Sequence, residues 1–451
     1  MALRWSRYNR IVRSEKYGYL LYNSLSSTLA MLDPAVNADL EVIRQGPDSY
    51  DFTANPGLYL QLRLTKVLVE EDEEEDLLRV IRLRAMSEDH DLSRLALIIA
   101  PTLGCNFECT YCYEKSRRPV HMDDRTERQV VTFARSFRSA RQLYLCWYGG
   151  EPLLRFKTIL SLTERLKALN IPLTAQLITN GYLLNDRVIN ELDGLKIKSI
   201  QVTIDGRRET HDRRRVHVTH GATYDTILSN LEDLTHRWKG DLDIRVNVDR
   251  DNIEEFTEVR SELSRRLQGD NVSIYPGIVD HGVIRNPDSS CRFTRQEEVD
   301  FLFELYRRHG IAAGEFYPVR SLGCMALRSN SFLIGPQGEL YNCTHDLGEP
   351  DMVVGSIFEG QRWNLPLLAR YMVGVNPLDD PTCRECFYLP VCHGGCPHFR
   401  LRRIYNAEDF ITCPIYKDRL TEALEVTIET SRSEESERKV PRQEKPTLVS
   451  P

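Results

Sequence analysis

From Leu95 onward, short apolar runs alternate with longer stretches in which apolar positions recur every three or four residues. The runs Leu95–Ala100, Gln142–Trp147, Thr174–Thr179, Ser199–Ile204, Leu242–Val248 and Val272–Pro276 have the length and composition of buried strands. Between and after them, Asp124–Arg138, Phe156–Leu169, Asp186–Asp193, Thr223–Trp238, Ile253–Leu267 and Thr294–His309 carry the period of amphipathic helices. Strand–helix units in this succession predict an α/β fold with a parallel sheet and right-handed crossovers, as an open doubly wound sheet or a partial barrel.

The rhythm is absent on either side. Residues 1–90 hold no cysteine and read as a small α+β module: Tyr17–Asp33 alternates as a hairpin does, with Asn23 and Ser24 near the turn, and helix-like and acidic segments follow. The run EEDEEED from Glu70 to Asp76 reads as a solvated face or linker, the functional alternative being a surface for a basic leader segment of a substrate peptide. Residues 91–310 form the α/β domain and 311–430 a cysteine-rich domain. The polar, charged stretch 431–451 reads as a disordered tail.

Composition narrows the class. At 451 residues, with 41% hydrophobic content, the chain has room for two or three globular domains. No apolar stretch approaches a membrane span, and MALRWSRYNR lacks the apolar core of a signal peptide, which predicts a cytoplasmic protein with no membrane partner. A net charge of −7 argues against a general nucleic-acid binder. Twelve cysteines without an export signal point to reduced thiols or metal sites rather than disulfides.

The thiols are ordered. In Thr102–Glu114, TLGCNFECTYCYE, Cys105, Cys109 and Cys112 stand at CxxxCxxC on a loop following the strand Leu95–Ala100, the end at which α/β enzymes keep their chemistry. Three thiolates can wrap one face of a [4Fe-4S] cube, whose fourth iron stays open. An open iron can chelate the amino and carboxylate groups of S-adenosylmethionine and pass an electron into its sulfonium, which generates a carbon radical. A zinc knuckle, or unrelated buried cysteines, is the alternative.

CNFECTYC is similar to the signature of the radical S-adenosylmethionine (radical SAM) superfamily. The resemblance implies a partial (β/α)6 TIM-type barrel, with the cofactor cradled at its strand ends. In WYGGEPLL, after the second strand, Gly149 and Gly150 let the backbone approach closely and Glu151 can accept from an ammonium group; the family's GGE segment binds the methionine amino group. Thr203 in QVTIDG, and Arg215 closing HDRRR, match residues that hold the methionine carboxylate, and Asn180 matches a position near the ribose. Asn247 is a weaker candidate of the same kind. Taken singly, each of these residues also suits a turn or cap. Cys146, inside the second strand, reads as a small buried apolar residue.

Downstream, Cys324, Cys343, Cys383, Cys386, Cys392, Cys396 and Cys413 resemble the SPASM domain, an auxiliary iron–sulfur module of peptide-modifying radical enzymes. Two zinc sites are the alternative. Carried over residue by residue, the resemblance gives Cys383, Cys386, Cys392 and Cys413 to one [4Fe-4S] cluster and Cys324, Cys343 and Cys396 to another. That second set is one ligand short, to be filled by Cys291 or left open. His345, His393 and His398 read as donors to sulfur that tune potential. No base is assigned; Tyr275, Asp280 and His281 lie near the end of the sixth strand.

The resemblance therefore implies a cytoplasmic, oxygen-sensitive enzyme with three clusters, served by a one-electron donor such as flavodoxin or ferredoxin. It would cleave S-adenosylmethionine to a 5′-deoxyadenosyl radical and oxidatively modify a ribosomally synthesised peptide through a thioether or carbon–carbon cross-link. An anaerobic sulfatase-maturating enzyme that makes formylglycine, a non-catalytic metal-binding scaffold and an enzyme acting on a small molecule are the alternatives.

Overall fold

The computed structural model describes residues 3–112, 114, 119–267, 269–279, 293–312, 324–358 and 363–437. It divides into two compact units that do not follow the linear order of the chain.

The larger unit spans His90–Thr294 and Met325–Met372 and contains the sheet that positions the candidate site. The sheet starts with β6 (Arg94–Ile99), β7 (Gln142–Trp147), β8 (Leu173–Thr179), β9 (Ile197–Ile204), β10 (Asp241–Val248) and β11 (Val272–Ile278), each parallel to its sequence neighbour. A doubly wound sheet reverses direction at a switch point. Here the order runs one way from β6 to β11, as in a barrel that has not closed, so the partial (β/α)6 barrel is the form adopted. Predicted strand boundaries lie within two residues of those observed. Side-chain caps explain the sharp helix starts: Asp123 accepts from Thr126 N ahead of Asp124–Ser136, and Asn185 from Arg187 N and Val188 N ahead of Asp186–Glu191.

Two features depart from the sequence reading. The segment Ser331–Ile334 (β12), placed in the cysteine-rich domain, pairs in parallel with β6, and a short antiparallel extension, β13 (Glu339–Tyr341) and β14 (Gly355–Ser356), follows it. Leu333 and Tyr341 thereby share a core with Ile98, Ala100, Cys146 and Tyr148, so Cys146 is the buried residue expected. The helix Arg295–His309, expected as the barrel's last, belongs to the other unit, because its stripe Val299/Phe303 packs on Ala423 and Val426.

Among the described residues, that unit comprises the chain up to Asp89, the stretch beginning at Arg295 and ending at Cys324, and the chain from Val373 to Glu437. The antiparallel sheet of β2 (Asn9–Ser14), β3 (Gly18–Asn23) and β4 (Thr28–Leu32) contains the predicted hairpin, and β1 (Leu3–Trp5) pairs with β5 (Leu68–Glu70). Three helices, α1 (Pro34–Gln45), α2 (Pro56–Leu64) and α3 (Glu73–Asp89), complete the N-terminal part. The module is not separate from the cysteine-rich segment, as the divisions at 90 and 311 imply. Leu20 and Tyr22 of β3 share one core with Phe387, Tyr388, Val391 and Leu424, and Ser24 Oγ donates to Phe387 O at 2.5 Å. The apolar face of a three-stranded sheet needs cover, and this segment supplies it.

The acidic run is only partly solvated. Glu74 is buried and accepts from Ser6 Oγ at 2.7 Å and Arg7 N at 2.8 Å, while Glu73 pairs with Arg63 and Lys66. The C-terminal helix Leu420–Glu437 runs beyond residue 430, where a disordered tail is expected, because a helix once nucleated extends readily through Ser, Glu and Arg. Residues 438–451, and the candidates Asp280, His281 and Cys291, lie outside the described residues.

Candidate active site

The cysteine loop leaves the end of β6 and is tied at both ends. Thr102 Oγ1 donates to Val120 O at 3.0 Å and accepts from Gly104 N at 2.9 Å, which closes the base of the loop. Further along, Glu108 N donates to Val216 O at 2.8 Å and Thr110 N to Arg214 O at 3.1 Å, so residues 107–110 run antiparallel to the segment ending the HDRRR helix. This helix, Arg208–Arg214, is not among the predicted elements. Cys105 Sγ accepts from Phe107 N at 3.4 Å, and Cys112 N donates to Cys109 O at 3.3 Å. The described cysteines form no disulfide. Burial pushes the Cys105 thiol up to about 12, with Glu151, Cys109 and Glu114 adding negative charge nearby. A bound metal cation reverses that balance and favours the thiolate.

The glycine pair is there because backbone lies against backbone. A Cβ on Gly149, whose φ is +112°, would sit 2.5 Å from Thr102 O, and one on Gly150 only 2.4 Å from Gly104 O. Gly150 N donates to Thr102 O and Glu151 N to Gly104 O, clamping this segment to the residues immediately before Cys105. The fully buried Glu151 carboxylate accepts from Leu153 N at 3.0 Å, Thr179 Oγ1 at 2.8 Å and Asn180 N at 2.8 Å. Burial raises its pKa, against the pull of those donors and of Arg215. Glu151 is thus a brace between the ends of β7 and β8, with one of about four lone-pair positions left over. Asn180 continues the brace, donating to Asn106 Oδ1 at 2.8 Å.

A second group surrounds Tyr111. Its hydroxyl accepts from Arg215 Nη1 at 2.6 Å and from Asn247 Nδ2 at 3.1 Å. Arg214 lies over the Tyr111 ring, 5.2 Å from its centroid, and its guanidinium pairs with Asp249. Burial works against the charge of Arg215, yet Tyr111, Cys109 and Asp205 hold its pKa well above the ordinary value. Burial raises the pKa of the Asp205 carboxyl against the pull of Arg215, Arg214 and Tyr111. Thr203, half-buried on β9, lies in register with Arg245 of β10. The structure therefore brings Glu151 and Asn180 into one network and Arg215 and Asn247 into another, with Tyr111, Asn106 and Asp205 joining them. An aromatic residue before the last thiol is the one sequence signal for Tyr111, and Asp205 stands at the strand end in QVTIDG; Asn106 is visible only once the loops meet.

Among the described residues, several buried polar atoms here have no hydrogen-bond partner: Asn106 Nδ2, Arg215 Nε and both carboxylate oxygens of Asp205, the last facing the charges of Arg215 and Arg214, with Arg214 Nε at 3.8 Å. Each such group costs about 1–3 kcal/mol when left unsatisfied. Donors and acceptors held at that cost beside three thiols and a glycine cradle fit an amino-acid-bearing, hydroxyl-rich cofactor next to an iron–sulfur cluster.

In the other unit, Cys383, Cys386, Cys392 and Cys413 come together. Burial, with the charges of Cys413, Cys383 and Cys386 adding to it, pushes the Cys392 thiol up to about 11. Two cations donate to these sulfurs: Arg400 Nη1 to Cys383 Sγ at 3.3 Å and Lys417 Nζ to Cys413 Sγ at 3.9 Å. Of the remaining cysteines, Cys324 and Cys396 belong to this unit and Cys343 to the larger one.

Comparison with known proteins agrees with this geometry. Residues 99–263 match the family model of the radical SAM superfamily. The serine-type anaerobic sulfatase-maturating enzyme of Klebsiella aerogenes is 26% identical over 327 residues, covering 65% of this chain and 77% of that protein. A structure of anSMEcpe with bound AdoMet and the Cp18Cys peptide covers 76% of this chain and 99% of its own at 18% identity, with a TM-score of 0.57. Streptococcus suis SuiB bound to the precursor peptide SuiA covers 92% of this chain and 99% of its own at 15% identity, with a TM-score of 0.52. No described helix is long and apolar enough to cross a membrane.

Proposed function

Given that the chain carries a radical SAM domain across residues 99–263, we propose that it is a peptide-modifying oxidoreductase whose substrate is a ribosomally synthesised peptide. The observation that carries the reading is the extent of the shared fold. The match to the peptide-bound SuiB structure takes in 92% of this chain, against 76% for the sulfatase-maturating enzyme, and the N-terminal module shares a core with the cysteine-rich segment. A module built into the cysteine-rich segment suits the capture of a peptide substrate.

In this reading Cys105, Cys109 and Cys112 hold a [4Fe-4S] cluster, and Gly149, Gly150, Glu151, Asn180, Thr203 and Arg215 cradle S-adenosylmethionine. When bound, the pair supplies hydrogen abstraction from carbon. The chain's own residues orient and seclude. Glu151 and Asn180 fix the strand ends against the cysteine loop. Arg215 presents a buried cation suited to a carboxylate, oriented by Tyr111. Cys383, Cys386, Cys392 and Cys413 would hold an auxiliary cluster and Cys324, Cys343 and Cys396 would serve a further one, which would supply an acceptor for one electron. A cytoplasmic setting and a flavodoxin- or ferredoxin-like donor complete the proposal.

The 26% identity to the Klebsiella enzyme favours a second reading, oxidation of a serine or cysteine side chain to formylglycine in a sulfatase. One anaerobic experiment separates the two. The reconstituted protein is reduced with S-adenosylmethionine and assayed for 5′-deoxyadenosine, beside a Cys105/Cys109/Cys112 triple alanine variant. About twelve irons per chain, with cleavage lost in the variant and iron falling by about four, is expected. Zinc in place of iron, or no deoxyadenosine, overturns the enzyme reading. Short peptides encoded beside the gene and a sulfatase-derived peptide are then offered as substrates. A cross-linked product two hydrogens lighter, which no hydrazide traps, supports the first reading; a hydrazide-reactive aldehyde supports the second.

A further inference from the structure

Arg400 is among the largest fully buried side chains of the protein, and its surroundings do not balance its charge. Nη2 donates to Asp380 Oδ2 at 2.8 Å, but the same oxygen also accepts from Arg403 Nη2 at 3.0 Å. Two guanidinium groups thus share one carboxylate: Arg403 is partly exposed to solvent, whereas Arg400 is fully buried with only a shared counter-charge. The other end of the Arg400 fork, Nη1, donates to Cys383 Sγ at 3.3 Å, and Nε has no hydrogen-bond partner. Asp380 meanwhile caps the short helix Pro381–Arg384 that carries Cys383, its Oδ1 accepting from Thr382 N at 2.9 Å and Cys383 N at 3.3 Å.

Isolated charges are not kept in an interior without compensation. The Arg400 guanidinium points straight at one sulfur of the four-cysteine set, so what it compensates is negative charge gathered on those thiolates. We propose that the Arg400–Asp380–Arg403 triad sets the reduction potential of the cluster held by Cys383, Cys386, Cys392 and Cys413, with Arg400 as the positioning and charge-bearing residue. A hydrogen bond to a ligand sulfur from a buried cation stabilises the reduced, more negative state over the oxidised one, and so raises the potential. Lys417, whose Nζ stands 3.9 Å from Cys413 Sγ, adds a weaker contribution of the same sign. Such a cluster is the better electron acceptor, which suits the oxidative role assigned to it. The inference rests on the ligand set proposed above.

The test is a dithionite titration of the reconstituted holoenzyme followed by electron paramagnetic resonance. The signal lost in a Cys386→Ala variant identifies the cluster. Arg400→Gln is expected to move that signal's midpoint to lower potential, Arg400→Lys to restore most of the shift, and the signal lost with Cys105→Ala to stay unmoved. Asp380→Asn, which removes the counter-charge but leaves a capping oxygen, is expected to move it the other way. Opposite signs from two members of one triad are not what a purely structural role produces. If Arg400→Gln loses the cluster's iron, Asp380→Asn decides: a higher midpoint supports the proposal. An unmoved or lower midpoint in Asp380→Asn, or an unmoved one in an iron-replete Arg400→Gln, overturns it while the ligand set stands. Unchanged iron in Cys386→Ala overturns the ligand set, and this inference with it.

Discussion

Arg215 Nη1 donates to the Tyr111 hydroxyl at 2.6 Å, so the arginine at the end of HDRRR is held by a side chain of the cysteine loop itself. The contact occupies one end of the guanidinium and leaves Nε, buried and without a partner, for a ligand. Tyr111→Phe removes one hydrogen bond to a charged donor, worth about 1.5–3 kcal/mol. S-Adenosylmethionine should bind about tenfold more weakly to the reconstituted variant by calorimetry. Tighter binding would mean instead that Tyr111 competes with the cofactor.

Gly150 marks where two backbones meet, with Gly104 O only 2.4 Å and Leu103 O 2.7 Å from any Cβ placed there. Neither atom belongs to a flexible side chain that could swing aside. Gly150→Ala should displace the residues leading into Cys105 and destabilise the protein by about 1–3 kcal/mol. Iron retained after reconstitution should fall by about four per chain. Full iron content with wild-type thermal stability would show that the loop can shift freely.

His211 carries a pH dependence. Its Nδ1 accepts from Asp205 N at 3.2 Å, and Nε2 lies 3.1 Å from Thr223 Oγ1, whose own hydrogen goes to Arg215 O at 2.8 Å. The ring therefore carries its proton on Nε2 and is neutral. Burial, then the charges of Arg215 and Arg214, keeps its pKa well below the ordinary value. Below about pH 6.5 the unfolded chain takes up a proton that the folded one does not, so stability falls on acidification by up to about 1.4 kcal/mol per pH unit. Urea midpoints recorded from pH 7 to pH 5 should drop less steeply in His211→Gln than in the wild type. Parallel slopes would remove His211 as the source.

Glu74 is the buried exception within an acidic run. It accepts from Ser6 Oγ, Arg7 N and Arg4 Nη2, joining the first strand to α3. Glu74→Ala should cost about 2 kcal/mol in chemical denaturation, whereas alanine at exposed Asp76 should change stability by less than about 0.5 kcal/mol. Equal effects would return the whole run to the solvated face that its composition suggests.

What the sequence by itself determined is whatever local pattern controls. Periodicity located the barrel strands from Leu95 to Pro276 and their helices, since buried strands and amphipathic helices write their burial into neighbouring residues. Spacing marked Cys105, Cys109 and Cys112 as a set, because they stand on one short loop. Tertiary structure decided everything that depends on partners distant in the chain. It chose between a doubly wound sheet and a barrel, since winding direction is a property of strand order, not of any strand. It placed β12 beside β6 and moved the helix Arg295–His309 to the other unit, since an apolar stripe says that it needs cover but not from whom. It turned Glu74 inward and Arg400 toward a sulfur, where composition predicts solvent for both. Charged residues are written into a sequence by their type, whereas their burial is settled only by the counter-charges and donors that the fold brings to them.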